Sequence, residues 1–445
     1  MNVLPNIIFA LALLIGVGFF VRNVKQLIRN IKLGQAVKRT DNPKSRLKNM
    51  LLVAFGQKKM FKRPIPAILH FALYSAFIIT QIELIEIITD GLFGTHRFFK
   101  PLLSGFYTFV ISFIEILSVL ALLATITFLY RRNLLKLPRL NKTELLGWPK
   151  KDANLILMME IVLVFCIFTM NGTDEVLYNM GKSHFEGQGS FHFAVSSYLG
   201  NFLFGNFSVQ TLHIFERIGW WGHFAMVLAF LNYLYYSKHL HIILAFPNTY
   251  FADLNPFGKF NNDPNVTKEV KLMMDPNADL FAAPAQENVV PAKFGASDAT
   301  DLNWFQLLSA YTCTECGRCT SACPANQTGK KLSPRKIMMN TRDRIEEIGR
   351  NITKNKGKFV EDGKQLLNDY ISTEELWACT TCNACVEECP VNISPLSIIM
   401  EMRQFLVMEQ SAAPIELNNM MTNIENNGAP WQYNQMDRLN WKDEN

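Results

Sequence analysis

Five apolar stretches, approximately 3–21, 64–89, 105–130, 153–171 and 218–240, reach the roughly 20 residues that cross a bilayer as a helix. Inside lipid no water satisfies backbone N–H and C=O groups, so each stretch must form a helix rather than a loop or an open strand. The net charge of +6 and the 18% charged residues average two unlike halves, an apolar one up to about residue 245 and a polar one after it. Thirteen Lys/Arg lie from Arg22 through Arg63 against a single acid, Asp41. Arg131, Arg132, Lys136, Arg139, Lys142, Lys150 and Lys151 follow the third stretch. This basic excess reads as topology rather than nucleic-acid binding. By the positive-inside rule both loops are cytoplasmic, which puts the N-terminus outside and everything after about residue 240 inside. A secretory signal peptide is not expected, because no positive charge precedes the first apolar stretch.

The expected organisation is all-α: a five-span transmembrane bundle over 1–244, a proline-punctuated linker over 245–300 running along the surface, a mostly helical Cys-rich domain over 301–410, and a polar tail over 411–445. A short interfacial helix is expected around 190–205, in the long outer loop. The run SPRKIMMNTRDRIEEIGRNI has helical spacing, with Ile337, Met338, Ile345 and Ile348 on one face. No regular element is expected in the Asn-rich tail, where Trp431 and Trp441 are candidates for a docking surface.

Eight of the nine cysteines fall into two copies of C-x2-C-x2-C-x3-C-P: Cys313, Cys316, Cys319 and Cys323-Pro324, then Cys379, Cys382, Cys385 and Cys389-Pro390. Three cysteines at i, i+3 and i+6 reach three corners of one [4Fe–4S] cubane, and the fourth ligates the other cluster. That logic assigns Cys313, Cys316, Cys319 and Cys389 to one cluster and Cys379, Cys382, Cys385 and Cys323 to a second. Paired zinc sites are the competing reading, and two full quartets each closed by proline favour clusters. Such cysteine usage places this half in a reducing compartment. Cys166, alone in an apolar run, reads as packing.

His223 and His241 bracket the fifth stretch, 18 residues apart. On a single helix that is five turns, placing both imidazoles on one face about 27 Å apart. His70 stands just inside the cytoplasmic start of the second stretch, at the depth of His241. The two form the natural axial pair for a haem b, and His223 is the candidate for a second haem whose opposite ligand could be His213, His96, His184 or His192. Intramembrane carboxylates are functional-site candidates by default. Gln81, Glu83 and Glu115 mark a quinone region in the outer half of the bundle, Glu115 foremost and Glu86 beside them, whereas Glu160 lies in the inner half.

The stretches HFAMVLAFLNYLYYSKHLHIILAFPN and KRPIPAILHFALYSAFII resemble the last and second spans of the cytochrome b subunits of heterodisulfide reductase and respiratory nitrate reductase. The segments YTCTECGRCTSACPANQTGKKLSPRKI, CTTCNACVEECPVNISPL and NIENNGAPWQYNQMDRLNW resemble the iron–sulfur part of heterodisulfide-reductase-like proteins. The resemblance implies a haem b domain feeding an α-helical ferredoxin domain, with quinone as membrane partner. Two departures stand out: the second span carries one histidine where the nitrate reductase type has two, and the cysteine-rich CCG repeat is absent. The expected role is a membrane-anchored electron-transfer subunit of a prokaryotic inner membrane. It would exchange electrons between quinone and a cytoplasmic CCG-type iron–sulfur or other oxidoreductase subunit that carries the catalytic site. A redox sensor or scaffold without steady turnover is the alternative.

Overall fold

The computed structural model describes residues 3–182, 192–256, 258–260, 262, 264–276 and 293–443. Among them the regular structure is helical, and pairing of the β type is confined to two isolated bridges, Gln35 with Asn303 and Leu367 with Ile371. The chain forms two compact units: residues 1–32, 42–251 and 311–317 in the first, and 33–41, 252–310 and 318–445 in the second.

In the first unit, four helices are long and apolar enough to cross a membrane: Leu4–Ile31, Pro64–Phe93, Gly105–Asn133 and Trp148–Asn179. They contain the first four expected spans. Pro5, Pro64 and Pro149 sit in the first turns of their helices, where a missing N–H is harmless and φ is already helical. Arg131 and Arg132 close the third, facing the negative end of the helix dipole.

The fifth expected span, 218–240, needs correction. The helix Val209–Tyr233 begins earlier and stops short. Two short turns, Leu234–Tyr236 and Lys238–Leu240, then flank an extended Ser237 before a new helix, His241–Tyr250. His223 and His241 therefore do not share one straight helix, and the five-turn spacing between them does not hold. The break survives because its backbone donors find other partners. Ser237 Oγ accepts from the His239 N–H at 3.0 Å, and the Asp152 carboxylate accepts from the Lys238 N–H at 3.2 Å.

Close approach between the Trp148 and Val209 helices depends on Gly219. A Cβ there would stand 2.8 Å from Met170 N and 3.0 Å from Cys166 O. Cys166 itself fills the space beside Gly222. Phe9 from the first helix stacks on Phe224 with ring centres 4.0 Å apart, in a cluster with Ile87, Met170 and Trp220. Large buried aromatic surfaces of this kind dominate packing energies. The helix Ser196–Phe204 lies within the interval expected to be interfacial, whereas His184 falls outside the described residues.

The second unit is organised by the helix Pro334–Lys354, whose first turn is fixed by Ser333 accepting from the Lys336 N–H. Its buried face includes Ile337, Met338, Ile345 and Ile348, as the spacing predicts, and it packs on the helix Pro395–Met408. Arg344, on the same helix, is buried and reaches Asp298 at 2.8 Å and Asp362 at 2.7 Å. The expected linker contains a helix, Pro264–Met274. In the tail the expectation of no regular element is overturned by a helix, Ile415–Asn427. Pro414 before it and left-handed Gly428 after it are its start and stop signals, which the Asn-rich composition obscured.

Candidate functional site

The two cysteine loops repeat each other residue by residue. In the first, Glu315 and Gly317 adopt left-handed backbone angles (φ 55° and 71°), and in the second Thr381 and Asn383 do the same (φ 56° and 60°). These are the second and fourth positions after the opening cysteine in each copy. Each loop then runs into a short helix, Arg318–Ala322 or Ala384–Glu388, and the two helices pack on each other. Both end on a cysteine in an extended conformation, Cys323 (φ −73°, ψ 119°) and Cys389 (φ −72°, ψ 123°). Left-handed turns inside a C-x2-C-x2-C run reverse the chain twice in six residues, which is what folds three sulfurs around one point.

The structure brings Cys323 from the first motif together with Cys379, Cys382 and Cys385 from the second. Burial, then the negative charge of Cys379, Cys323 and Cys382, pushes the Cys385 thiol up to about 12. Cys379 is raised for the same reasons, burial first and then Cys323 and Cys382. Thiols crowded until they oppose one another's ionisation suit a soft polynuclear cation. Backbone N–H groups also point at sulfur, Thr381 N at Cys379 Sγ (3.4 Å) and Ile393 N at Cys389 Sγ (3.3 Å). Contacts of this type tune cluster potentials. The donor set fits an iron–sulfur cluster.

The opening turn of the first loop, residues 311–317, belongs to the first unit. There Asn30 donates to the Tyr311 hydroxyl at 3.1 Å, Arg139 donates to the Cys316 carbonyl at 3.4 Å, and Lys238 pairs with Glu315. Glu315 is buried, lying between Cys313 and Cys316 in sequence.

Within the first unit, His70 and His241 face each other with ring centres 6.2 Å apart and planes at 45°. A metal ion between two imidazoles, each nitrogen about 2 Å from it, holds the ring centres roughly 6 Å apart. Both Nδ1 atoms are taken. His70 Nδ1 meets Gln57 Oε1 at 3.1 Å and His241 Nδ1 meets the Lys238 carbonyl at 3.1 Å. Both partners are acceptors, so each Nδ1 carries the hydrogen and each Nε2 presents a lone pair, the tautomer a metal ligand needs. The two imidazoles fit a haem iron and would be the residues that hold it. His239 packs its ring edge against Phe230 at 5.0 Å. His223 is buried, and its Nδ1 has no hydrogen-bond partner among the described residues. His96 and His192 are engaged with carboxylates, Asp174 at 3.3 Å and Glu175 at 2.7 Å.

The three expected quinone residues meet different fates. Gln81 donates back to the Phe77 carbonyl of its own helix at 2.8 Å. Glu115 is fully buried and accepts from Asn171 Nδ2 (3.2 Å), the Val195 N–H (2.8 Å), the Ser196 N–H (3.0 Å) and Ser196 Oγ, so it anchors the 193–196 turn. Glu83 is buried, and neither of its oxygens has a hydrogen-bond partner of ordinary geometry among the described residues. The Asn171 amide lies beside it and donates to Glu115. Sequence reasoning missed the centre of this network, Arg97, which is buried and donates to Asp174 (2.8 Å), Asn171 (2.7 Å) and the Tyr107 hydroxyl (3.1 Å). Tyr107 in turn donates to Glu86 at 2.7 Å. Its one signal was a lone arginine in a short loop between two spans. Gln57 and Lys238 were missed as well, since nothing in a sequence says which acceptor will orient an imidazole.

Residues 312–393 match the 4Fe-4S dicluster domain family. The chain is 30% identical, over 98% of its length, to the probable iron-sulfur-binding oxidoreductase FadF of Bacillus subtilis, and 27% identical, over 92%, to EtfAB:quinone oxidoreductase of Syntrophomonas wolfei. It spans 61% and 55% of those two relatives. A further similarity, 32% identity over 34% of the chain and 24% of the relative, is to a probable membrane-anchored ferredoxin of Chromohalobacter salexigens. No solved structure matches. The chain is thus similar to iron–sulfur oxidoreductase and electron-transfer proteins, some of them linked by name to quinone or the membrane.

Proposed function

We propose that this protein is a five-pass membrane electron carrier exchanging electrons between quinone and a cytoplasmic redox partner through one haem b and two [4Fe–4S] clusters. The observation that carries the reading is the His70–His241 pair, with rings 6.2 Å apart and both Nδ1 atoms held by acceptors. Bound haem and clusters would supply one-electron chemistry, joining a two-electron quinone couple to single-electron steps.

The chain's own residues do the rest. His70 and His241 hold the haem iron, with Gln57 and the Lys238 carbonyl fixing their orientation. Cys313, Cys316, Cys319 and Cys389 hold one cluster, and Cys379, Cys382, Cys385 and Cys323 the other. Glu83, with open oxygens in an otherwise satisfied network, is the group that would take or give a quinone proton, while Gln81 and Glu115 shape its surroundings. A measured count of two haems would assign the second to His223. Loop charges orient the cluster half to the cytoplasm. The similarity to a protein named for both EtfAB and quinone supports a redox protein at one end and quinone at the other.

The test is haem b and non-haem iron per chain on detergent-purified protein, beside electron transfer from a quinol analogue to an artificial acceptor. One haem, about eight irons and steady turnover are expected. Iron without haem would leave a tethered ferredoxin, and both cofactors without turnover would leave a sensor.

A further inference from the structure

Lys238 touches both the His70–His241 pair and the opening turn of the first cysteine loop. The Lys238 carbonyl accepts from His241 Nδ1 at 3.1 Å and so sets the ring that faces His70. Its ammonium pairs with Glu315 and donates to the Pro149 carbonyl at 2.7 Å. Its N–H donates to Asp152 at 3.2 Å, and Asp152 also accepts from the Tyr233 hydroxyl at 2.6 Å. All three charged groups are shielded, with side chains 9% (Lys238), 4% (Asp152) and 3% (Glu315) exposed. A buried ammonium held by Glu315 and a carbonyl, with Asp152 3.8 Å away, has few alternative positions, because leaving Glu315 without that charge carries a large desolvation penalty. The lysine occupies the helix break at Ser237, and an unbroken helix would not present its backbone and side chain to these partners.

We propose that Lys238 is a positioning residue coupling the two sites: its carbonyl orients the haem ligand His241, and its ammonium clamps Glu315 and neutralises that carboxylate between two cluster ligands, Cys313 and Cys316. This inference rests on the haem and cluster reading above. The clamp has an electrostatic consequence with a definite sign. Removing the Lys238 charge leaves the Glu315 carboxylate less compensated beside the cluster loop, which disfavours adding an electron there. Lys238 without the Glu315 charge does the opposite.

The experiment uses the full chain in detergent, as wild type, Lys238→Met, Glu315→Gln and the double variant. Haem and iron are quantified, and the midpoint of each reduced cluster is followed by EPR during a redox titration. The expected result is a lower midpoint for the Cys313-loop cluster in K238M, a higher one in E315Q, and a double variant near wild type, because the two opposite shifts cancel when both charges are removed. Haem content should persist in K238M, because the His241 contact is to backbone. Both variants holding haem and iron with unmoved midpoints would overturn the proposal. Should K238M lose its cofactors, E315Q decides alone: a raised midpoint supports the clamp, and an unchanged one ends it. Wild type lacking haem or clusters removes the underlying reading instead, a result visible before any variant is made.

Discussion

Replacing Gln57 by leucine removes the acceptor that orients His70 while keeping similar bulk. Gln57 is buried, 4% exposed, and its Oε1 lies 3.1 Å from His70 Nδ1. The opposite ligand, His241, keeps its partner because that acceptor is a backbone carbonyl. Only one side of the pair is therefore loosened. Losing an outer partner of a ligating histidine lowers metal affinity typically 10–100-fold, or roughly 1.4–2.8 kcal/mol at 1.4 kcal/mol per decade. Purified Q57L should release haem measurably faster than wild type into an apo-globin trap, with cluster iron unchanged. Gln57→Glu is the control, since it preserves an acceptor in the same place. It should retain haem and lower the haem midpoint, because a carboxylate makes the imidazole a stronger donor. Wild-type release rates in Q57L would refute the axial role of His70, and so would equal loss in Q57L and Q57E.

Cys323→Ser and Cys379→Ser should abolish the same cluster EPR signal, each leaving about four irons of eight, whereas Cys166→Ala should keep all of them; loss of different signals would break the cross-motif assignment. Gly219→Val should lower stability by about 1–3 kcal/mol through overpacking, read as an earlier thermal transition in detergent, since its side chain would meet Met170 N at 2.8 Å. Arg344→Leu should cost about 3 kcal/mol, at the low end for a buried pair because Asp298 and Asp362 are 17% and 20% exposed. Arg344 also holds Asp362 below the ordinary carboxylate range. The unfolded chain therefore binds that proton more readily. The part of the Arg344 contribution made through Asp362 is full above the unfolded value, about pH 4, and is lost as pH falls through the depressed one. The stability gap between wild type and R344L should accordingly narrow at low pH, and a constant gap would show that the Asp362 bridge does not titrate as described.

Local chemistry accounts for the features legible in the sequence. The C-x2-C-x2-C-x3-C-P spacing implies loops that turn sharply, and the structure places left-handed residues at matching positions in both copies. The helix Pro334–Lys354 and the first four membrane-length helices follow from periodicity and apolar length. The depth match of His70 and His241 was readable because their flanking charges mark one end of the bundle. The helix break at Ser237 was not, since one of the two acceptors that hold it, Asp152, is distant in sequence. Glu83 and Glu115 look alike as intramembrane carboxylates, yet four donors from Asn171, Val195 and Ser196 satisfy one, and among the described residues none reaches the other with ordinary geometry.

The sequence by itself determined which atoms could ligate and how far each stretch could reach, because ligand type, spacing and span length are properties of neighbouring residues. Tertiary structure alone decided how those atoms are used. Gln57 and Lys238 became the orienting partners of the two imidazoles, Arg97 the centre of a buried network, and Glu315 the mate of a lysine 77 residues away in the chain. Such assignments depend on hydrogen bonds closed between distant segments, where a polar group inside an apolar bundle must find a partner and the fold determines which one it meets.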